Sequence, residues 1–456
     1  MAKTITPPIG SAPTTEPRLI RQPRPEELEK PSPLYCVWEI TLKCDLGCKH
    51  CGSRAGPQRS DELSTAECLD VVHQMADLGF REVTLIGGEA YLREDWDIIA
   101  AEITKNGMAC GMTTGARGLN DERVKRAVDA GMRSISVSID GLENTHNAQR
   151  GVKDSWRNAV DTAERIAKTD IRLANNTQIN RLSMPELPAL ADMLIGFGCE
   201  AWQIQLTVPM GHAADRPDLL LQPYELLQLF PLLVWIKENR LEKNGVTLFP
   251  GNNIGYFGPF ESLLRYNGKN GAHWGGCPAG AWSIGLEADG KIKGCPSLPS
   301  GSYTGGNTRT DRIADVLQNA KPVTFIRERT KRDLWGFCGS CYYADVCKAG
   351  CTWTSQVFLG RPGNNPLCIH RAIEHEKKGL RERFVRSSQA PGLPFDQGRF
   401  SLFSEEIPES DQPPTVSGFN FDEVLALNWE ESSGIWSDEQ IKHILQPDRS
   451  KLPIIE

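Results

Sequence analysis

No apolar run in the 456 residues approaches the roughly 18 needed to cross a bilayer, and the opening stretch, MAKTITPPIGSAPTTEP, has no apolar h-region. These absences point to a cytoplasmic protein with no membrane partner. Positive charge is also scarce: 51 Lys and Arg stand against 58 Asp and Glu, a formal net charge of -7. No bulk positive field is available to hold a phosphate backbone, so nucleic acid is not an expected partner. The histidines show no metal-ligand spacing of their own.

Cysteine, by contrast, is abundant, with fourteen in the chain. In a reducing compartment disulfides explain such a number poorly, and dense cysteine points to metal or redox chemistry instead. Cys36, Cys68, Cys110 and Cys199 fall on expected strands or helices, where free cysteine behaves as a small buried hydrophobe. The other ten are clustered.

The first 33 residues hold eight prolines and little apolar periodicity, which reads as an extended N-terminal arm. From 34 to 245, short β-rich runs alternate with helical periods, so repeated βα units around a parallel sheet are expected. The candidate strands are YCVWEIT, EVTLIGG, ACGMTT, SISVSID, LANNTQIN and WQIQLTV, and six such units predict an α/β fold, a partial (βα)6 TIM-like barrel left open. Ser64 and Glu67 make an S-x-x-E capping box, and Asn120 or Asp121 would cap the helix after the third strand. A mostly helical bridge covers roughly 217–245. A small cysteine-rich domain over 246–380 has too few apolar runs for a large core, and metal clusters would supply the staples it lacks. The remainder, 381–456, reads as an acidic C-terminal tail: from 401 onward it has twelve acidic against three basic residues, the pattern of a solvated, partly ordered segment.

Three constellations carry chemistry. Cys44, Cys48 and Cys51, in CDLGCKHC, follow the first strand directly, so three thiolates converge from one loop. A 4Fe-4S cluster needs four ligands, and three leave one iron free. This spacing arises by chance in roughly 1% of chains of such length and composition. Zinc bound by the three cysteines and His50 is the rival reading. Gly87, Gly88 and Glu89 end the second strand, where two glycines allow close backbone approach and the carboxylate suits an ammonium group. A Gly-Gly turn with a solvated Glu is the plain alternative, and the tripeptide's position beside the cysteine loop is what favours the functional reading over it. The third constellation runs Cys277, then G-x4-C from Gly290 to Cys295, then C-x2-C-x5-C-x3-C at Cys338, Cys341, Cys347 and Cys351, then Cys368.

C-x3-C-x2-C after the first strand, GGE after the second, and SIDG with His146 and Arg150 after the fourth resemble the radical S-adenosylmethionine superfamily. The resemblance implies that Cys44, Cys48 and Cys51 hold the catalytic 4Fe-4S cluster, whose open iron chelates S-adenosylmethionine. It further implies that Gly87, Gly88, Glu89, Ser138 and Arg150 contact that cofactor, with Asn180, in TQIN, at the fifth-strand position. The C-terminal cysteines resemble the SPASM extension, which holds two auxiliary 4Fe-4S clusters and brings the total to three. By that likeness Cys338, Cys341, Cys347 and Cys368 bind the distal one and Cys277, Cys295 and Cys351 the proximal one. For the proximal cluster, either a non-cysteine group is the fourth ligand or an iron is open to substrate.

The activity so implied is reductive cleavage of S-adenosylmethionine to a 5'-deoxyadenosyl radical. That radical would modify a ribosomally synthesised precursor peptide by hydrogen abstraction, giving a crosslink, an epimer or an oxidised side chain. CDLGCKHCGSRAG, TLIGGEAYLR and SVSIDGLENTH are similar to maturases associated with small peptides carrying a Gly-Asp-Leu motif. An electron donor such as flavodoxin or ferredoxin is an expected partner. Residues 1–33 are too short for a leader-binding module, so leader recognition is expected of a separate protein or of the C-terminal tail. Sulfatase maturases share the seven-cysteine layout but place an acidic residue after the G-x4-C cysteine, where this chain has Pro296. Heme-precursor tailoring and, in another class, an iron-sulfur electron-transfer protein are the remaining alternatives.

Overall fold

The six β-rich segments form six parallel strands, β1 Tyr35–Glu39, β2 Glu82–Ile86, β3 Ala109–Thr114, β4 Ser134–Ser138, β5 Arg172–Ile179 and β6 Ala201–Leu206, paired in chain order. The computed structural model describes Arg21, Glu27 and residues 32–266, 273–408 and 436–448. Most of the expected N-terminal arm, and residues 409–435 of the expected tail, lie outside the described residues.

Alternation along each strand sorts side chains onto two faces. In register across β1 to β5, Trp38, Leu85, Met112, Ile135 and Leu173 make a buried apolar row that packs outward against the helices. Each such burial stabilises the fold by about 1.5–3 kcal/mol. The neighbouring row, Val37, Thr84, Gly111, Ser134 and Arg172, points inward and is small or polar, so the barrel interior stays open. Cys36 and Cys110 belong to the outward face and are fully buried.

The crossover helices carry the expected punctuation. Ser64 and Glu67 close a capping box on the helix Thr65–Asp77, and Asn120, not Asp121, caps the helix Asp121–Asp129 by accepting from the Arg123 amide. The stretch Pro217–Asn244 is long and apolar enough to cross a membrane by length and composition, but 72% of its most apolar window is buried inside the fold.

The sheet does not stop at residue 245. β7 Thr247–Pro250 extends it beyond β6, while β8 Ser283–Leu286 pairs in parallel with β1 and is followed by antiparallel β9 Lys291–Lys293 and β10 Thr304–Asn307. The ten strands run β10-β9-β8-β1-β2-β3-β4-β5-β6-β7, with β10 and β7 at opposite ends. An open barrel leaves β1 with unpaired backbone groups, and the cysteine-rich segment satisfies them. Charge reinforces this seam: Arg59 reaches Glu39 on β1 at 3.1 Å, Glu287 at 3.2 Å and Asp289 at 3.3 Å, and buried Lys293 pairs with Glu287 at 2.7 Å.

Two described parts of the expected solvated tail are packed. β11 Leu380–Ser388 and β12 Arg399–Glu406 form a hairpin whose Phe384 and Phe400 lie 4.5 and 5.6 Å from Phe358. Farther on, the helix Asp438–Leu445 buries Ile441, Ile444 and Leu445. Aromatic and aliphatic residues spaced among the acids direct this docking, which net charge conceals.

Candidate active site

A cavity of about 850 Å³ fills the open barrel and is lined from both halves of the chain. Cys51 faces it from the loop after β1, and Cys277, Cys295 and Cys351 face it from the C-terminal region. Gly87, Ser138 and Arg150 also line it, together with His50 and Asp140.

The loop of Cys44, Cys48 and Cys51 is seated by the two glycines of GGE. A Cβ on Gly88 would come within 2.3 Å of the Lys43 carbonyl and 2.6 Å of the Cys44 Cβ, and one on Gly87 within 2.3 Å of the Thr41 carbonyl. Only glycine permits that approach. Glu89 is buried just behind, accepting from the Gly115 amide at 2.6 Å and from the Thr114 hydroxyl. Burial pushes its carboxyl up to about 7.

The three sulfurs are placed as acceptors. Cys44 Sγ receives the Leu46 amide at 3.4 Å, Cys51 Sγ the Ala55 amide at 3.4 Å, and Cys48 Sγ the Arg150 Nη1 at 3.7 Å. N–H donors of this kind suit thiolates, and hydrogen bonds to sulfur tune a cluster's potential. Cys68, Cys110 and Cys199 do the opposite, donating S–H to backbone carbonyls. Burial pushes the free Cys48 thiol up to about 12.

Arg150 Nη2 pairs with Asp140 Oδ2 at 2.6 Å, and His50 Nε2 faces the same oxygen at 3.2 Å. The Arg150 guanidinium, with the His50 hydrogen bond beside it, holds the buried Asp140 carboxyl far below the usual carboxylate range. His50 is thereby turned to Asp140, and among the described residues no group of three or more His, Cys, Asp or Glu gathers around a single metal position. With its Nε2 turned to Asp140, His50 is poorly placed to complete a zinc site with the three cysteines. His50 Nδ1 and Arg150 Nε are buried without a hydrogen-bond partner among the described residues, which fits a wall built to receive a polar cofactor.

Asn180 is not brought to the cavity. β5 ends at Ile179, and Asn180 instead braces the following turn: its Nδ2 donates to Gln149 Oε1 at 2.7 Å and its Oδ1 accepts the Leu182 and Ser183 amides. Gln178, two residues earlier and still on the strand, lines the cavity. His146 is structural too, its Nδ1 accepting the Asp140 amide and its Nε2 lying 3.1 Å from Ser155 Oγ. Asp140 was the residue missed, although the alternation of Ser134, Ser136 and Ser138 marks it as inward-facing.

The seven C-terminal cysteines fall into two groups. Cys277, Cys295 and Cys351 lie within electrostatic reach of one another. Beside them Arg329 is buried, its Nη1 donating to Thr352 Oγ1 at 2.8 Å, with no carboxylate at ion-pairing distance among the described residues. An uncompensated buried guanidinium fits neighbouring cysteines that become thiolates. Cys338, Cys341, Cys347 and Cys368 surround a separate small pocket, where the Asn365 amide donates to Cys338 Sγ and the Tyr343 amide to Cys341 Sγ, both at 3.4 Å.

Known proteins are similar to this chain. An AdoMet-dependent heme synthase of Methanosarcina barkeri is 27% identical over 75% of this chain and 97% of its own. The mycofactocin maturase MftC of Mycobacterium ulcerans is 27% identical over 82% of this chain and 98% of its own. Among solved structures, Streptococcus suis SuiB bound to the precursor peptide SuiA superposes with a TM-score of 0.58, at 17% identity over 75% of this chain and 77% of its own. Residues 38–194 match the Radical SAM superfamily, and with the cysteine loop, the GGE turn and the open parallel barrel inside that span, this part of the chain is a radical SAM domain, whose chemistry uses S-adenosylmethionine and one 4Fe-4S cluster.

Proposed function

We propose that the protein is a radical S-adenosylmethionine peptide maturase of SPASM type, with Cys44, Cys48 and Cys51 holding the catalytic cluster. In this reading Cys277, Cys295 and Cys351 hold a proximal auxiliary cluster and Cys338, Cys341, Cys347 and Cys368 a distal one. The observation that carries it is the shared cavity: Cys51 and the proximal cysteines face one space of about 850 Å³. An electron carrier has no use for a cavity between its clusters, whereas a substrate held there is within reach of both.

When bound, the catalytic cluster and S-adenosylmethionine supply a 5'-deoxyadenosyl radical that takes a hydrogen atom from the substrate. The protein's own residues bind, orient and exclude water. Glu89 would receive the cofactor's ammonium group and Arg150 and Ser138 its polar edge, while Asp140 fixes Arg150 at 2.6 Å. Gly87 and Gly88 keep the backbone low beneath them.

The wall chemistry favours a peptide. Of the five wall arginines, Arg21, Arg150, Arg172 and Arg265 are each held by a carboxylate, Glu82, Asp140, Glu200 and Glu261 respectively, and Arg133 is engaged as well. The remaining polar wall is largely amides and hydroxyls, among them Asn176, Gln178, Gln203 and Gln205. Such groups pair with peptide N–H and C=O, while a tetrapyrrole bearing several carboxylates needs unpaired cations. The heme-synthase relatives make a tetrapyrrole precursor the second reading. Pro296 after Cys295 leaves out the acidic residue of sulfatase maturases. A small electron donor such as flavodoxin or ferredoxin and a separate leader-binding protein complete the proposal.

Anaerobic turnover with S-adenosylmethionine, a reductant and a short peptide encoded beside the gene tests it. The expected result is 5'-deoxyadenosine together with a mass change in the peptide. Turnover of a tetrapyrrole with the peptide untouched would establish the second reading instead.

A further inference from the structure

The catalytic loop is supported from far outside the radical SAM domain. Lys49 and His50 set the spacing between Cys48 and Cys51, and hydrogen bonds to the backbone of residues 47–51 hold that turn at four points. The Gly47 amide donates to the Arg150 carbonyl at 3.0 Å and the Lys49 amide to the Gln149 carbonyl at 2.7 Å. The Lys49 carbonyl accepts from Arg216 Nη1 at 3.3 Å, and the Cys51 carbonyl from the His212 amide at 2.9 Å. The loop therefore hangs on two supports, the C-terminal end of the helix Glu143–Arg150 and the segment 211–216. The second support sits tightly: a Cβ on Gly211 would come within 2.3 Å of the Cys51 carbonyl.

Both supports bear on residues 436–448. Ile441, Ile444 and Leu445 form one apolar cluster with Leu182 and Leu219, against which Ala148, on the first support, and Trp436 pack. On the second support, Arg216 is 7% exposed and donates from Nε to the Leu445 carbonyl at 2.7 Å and from Nη1 to the His212 carbonyl at 2.7 Å. The Asp448 amide donates to the Asp215 carbonyl at 2.9 Å, and the Asp448 carboxylate pairs with Arg386 at 2.8 Å. One guanidinium thus ties three backbone segments together: the cysteine turn, the strand β6 exit and the C-terminal helix, the last 229 residues away in sequence.

We infer that Arg216 and the helix Asp438–Leu445 are positioning elements of the catalytic site, fixing the Cys48–Cys51 turn and hence the geometry that receives S-adenosylmethionine. A planar guanidinium presents five donors in a fixed fork, so one side chain can bond carbonyls of separate segments at once. The helix contributes by keeping Arg216 buried and by pressing on Ala148, next to Gln149 and Arg150. This inference rests on the assignment of Cys44, Cys48 and Cys51 to the catalytic cluster.

The test uses the full chain, reconstituted anaerobically, carrying Arg216→Met, Arg216→Lys, or Ile441→Asp with Ile444→Asp. Total iron, the affinity for S-adenosylmethionine, and the change that cofactor induces in the electron paramagnetic resonance signal of the reduced catalytic cluster are read together. Arg216→Met and the double variant are expected to weaken S-adenosylmethionine binding about tenfold, the worth of one or two buried hydrogen bonds. Their cofactor-induced spectral change should differ from wild type while auxiliary iron is retained. Arg216→Lys, which keeps the charge and can serve one carbonyl, should fall between. Should the double variant not fold, Ile444→Ala must shift affinity in the same direction. Unchanged affinity and spectra in Arg216→Met and in the folded helix variant would overturn the inference. A wild-type protein that neither binds S-adenosylmethionine nor responds to it would instead overturn the underlying assignment.

Discussion

The two cysteine sets that face the cavity are built in opposite ways. Cys44, Cys48 and Cys51 come from one eight-residue loop after β1, seated by Gly87 and Gly88 from the neighbouring strand. Cys277, Cys295 and Cys351 come from separate segments that meet only because β8 pairs with β1 and Arg59 ties Glu39 to Glu287 and Asp289. A locally encoded set forms wherever its loop forms. A set gathered from distant segments depends on the seam that gathers it, so it is the more sensitive of the two to changes elsewhere.

The comparison can be broken most forcefully at the cysteines. Replacing Cys44, Cys48 and Cys51 with Ala should abolish 5'-deoxyadenosine formation while the auxiliary iron persists in the absorbance spectrum. Replacing Cys277, Cys295 and Cys351 with Ala should have the complementary effect, with 5'-deoxyadenosine still made and modified peptide lost. Arg329→Gln is a gentler probe of the distributed set. Removing the buried cation beside Cys277 and Cys351 should lower the midpoint potential of the proximal cluster, read by spectropotentiometry, and Arg329→Lys should restore most of it.

The seam itself has a pH signature. Burial raises the Glu39 carboxyl to about 7, so between its unfolded value near 4.5 and 7 the folded chain holds the extra proton. Its contribution to stability therefore falls as pH rises through that window. Glu39→Gln removes the slope, and its melting temperature relative to wild type should be more favourable at pH 8 than at pH 5. The smallest effect on the site is expected at Asn180. Its removal should cost about 1–3 kcal/mol of stability through the unsatisfied Leu182 and Ser183 amides, yet leave S-adenosylmethionine affinity within about twofold. Gln178→Ala, on the cavity wall, should instead act on peptide turnover.

Legibility in the sequence follows the same division. The six parallel strands, the Ser64 capping box and the cysteine loop depend on neighbours within a few residues, and each is visible as period, cap or spacing. Asn180, put at the fifth-strand position by the resemblance, lies just past the last strand residue, Ile179, where the chain has already turned. Asp140 was overlooked although its parity with Ser134, Ser136 and Ser138 was available. The pairing of β8 with β1, the uncompensated Arg329 and the docking of Asp438–Leu445 could not be read, because each depends on contacts between residues hundreds of positions apart or on burial that composition does not encode. Acid-rich composition from 401 onward suggested a solvated, partly ordered segment, and within it Ile441 and Ile444 direct packing.

In the proposed reaction the catalytic loop acts on a peptide held in the cavity between the two cysteine sets. Its most direct test is anaerobic turnover with the encoded peptide uniformly deuterated at carbon, followed by mass analysis of the 5'-deoxyadenosine. Deuterium in the nucleoside is the expected result, since the abstracted atom comes from a peptide carbon. Abundant 5'-deoxyadenosine without deuterium, from enzyme saturated with that peptide, would contradict it.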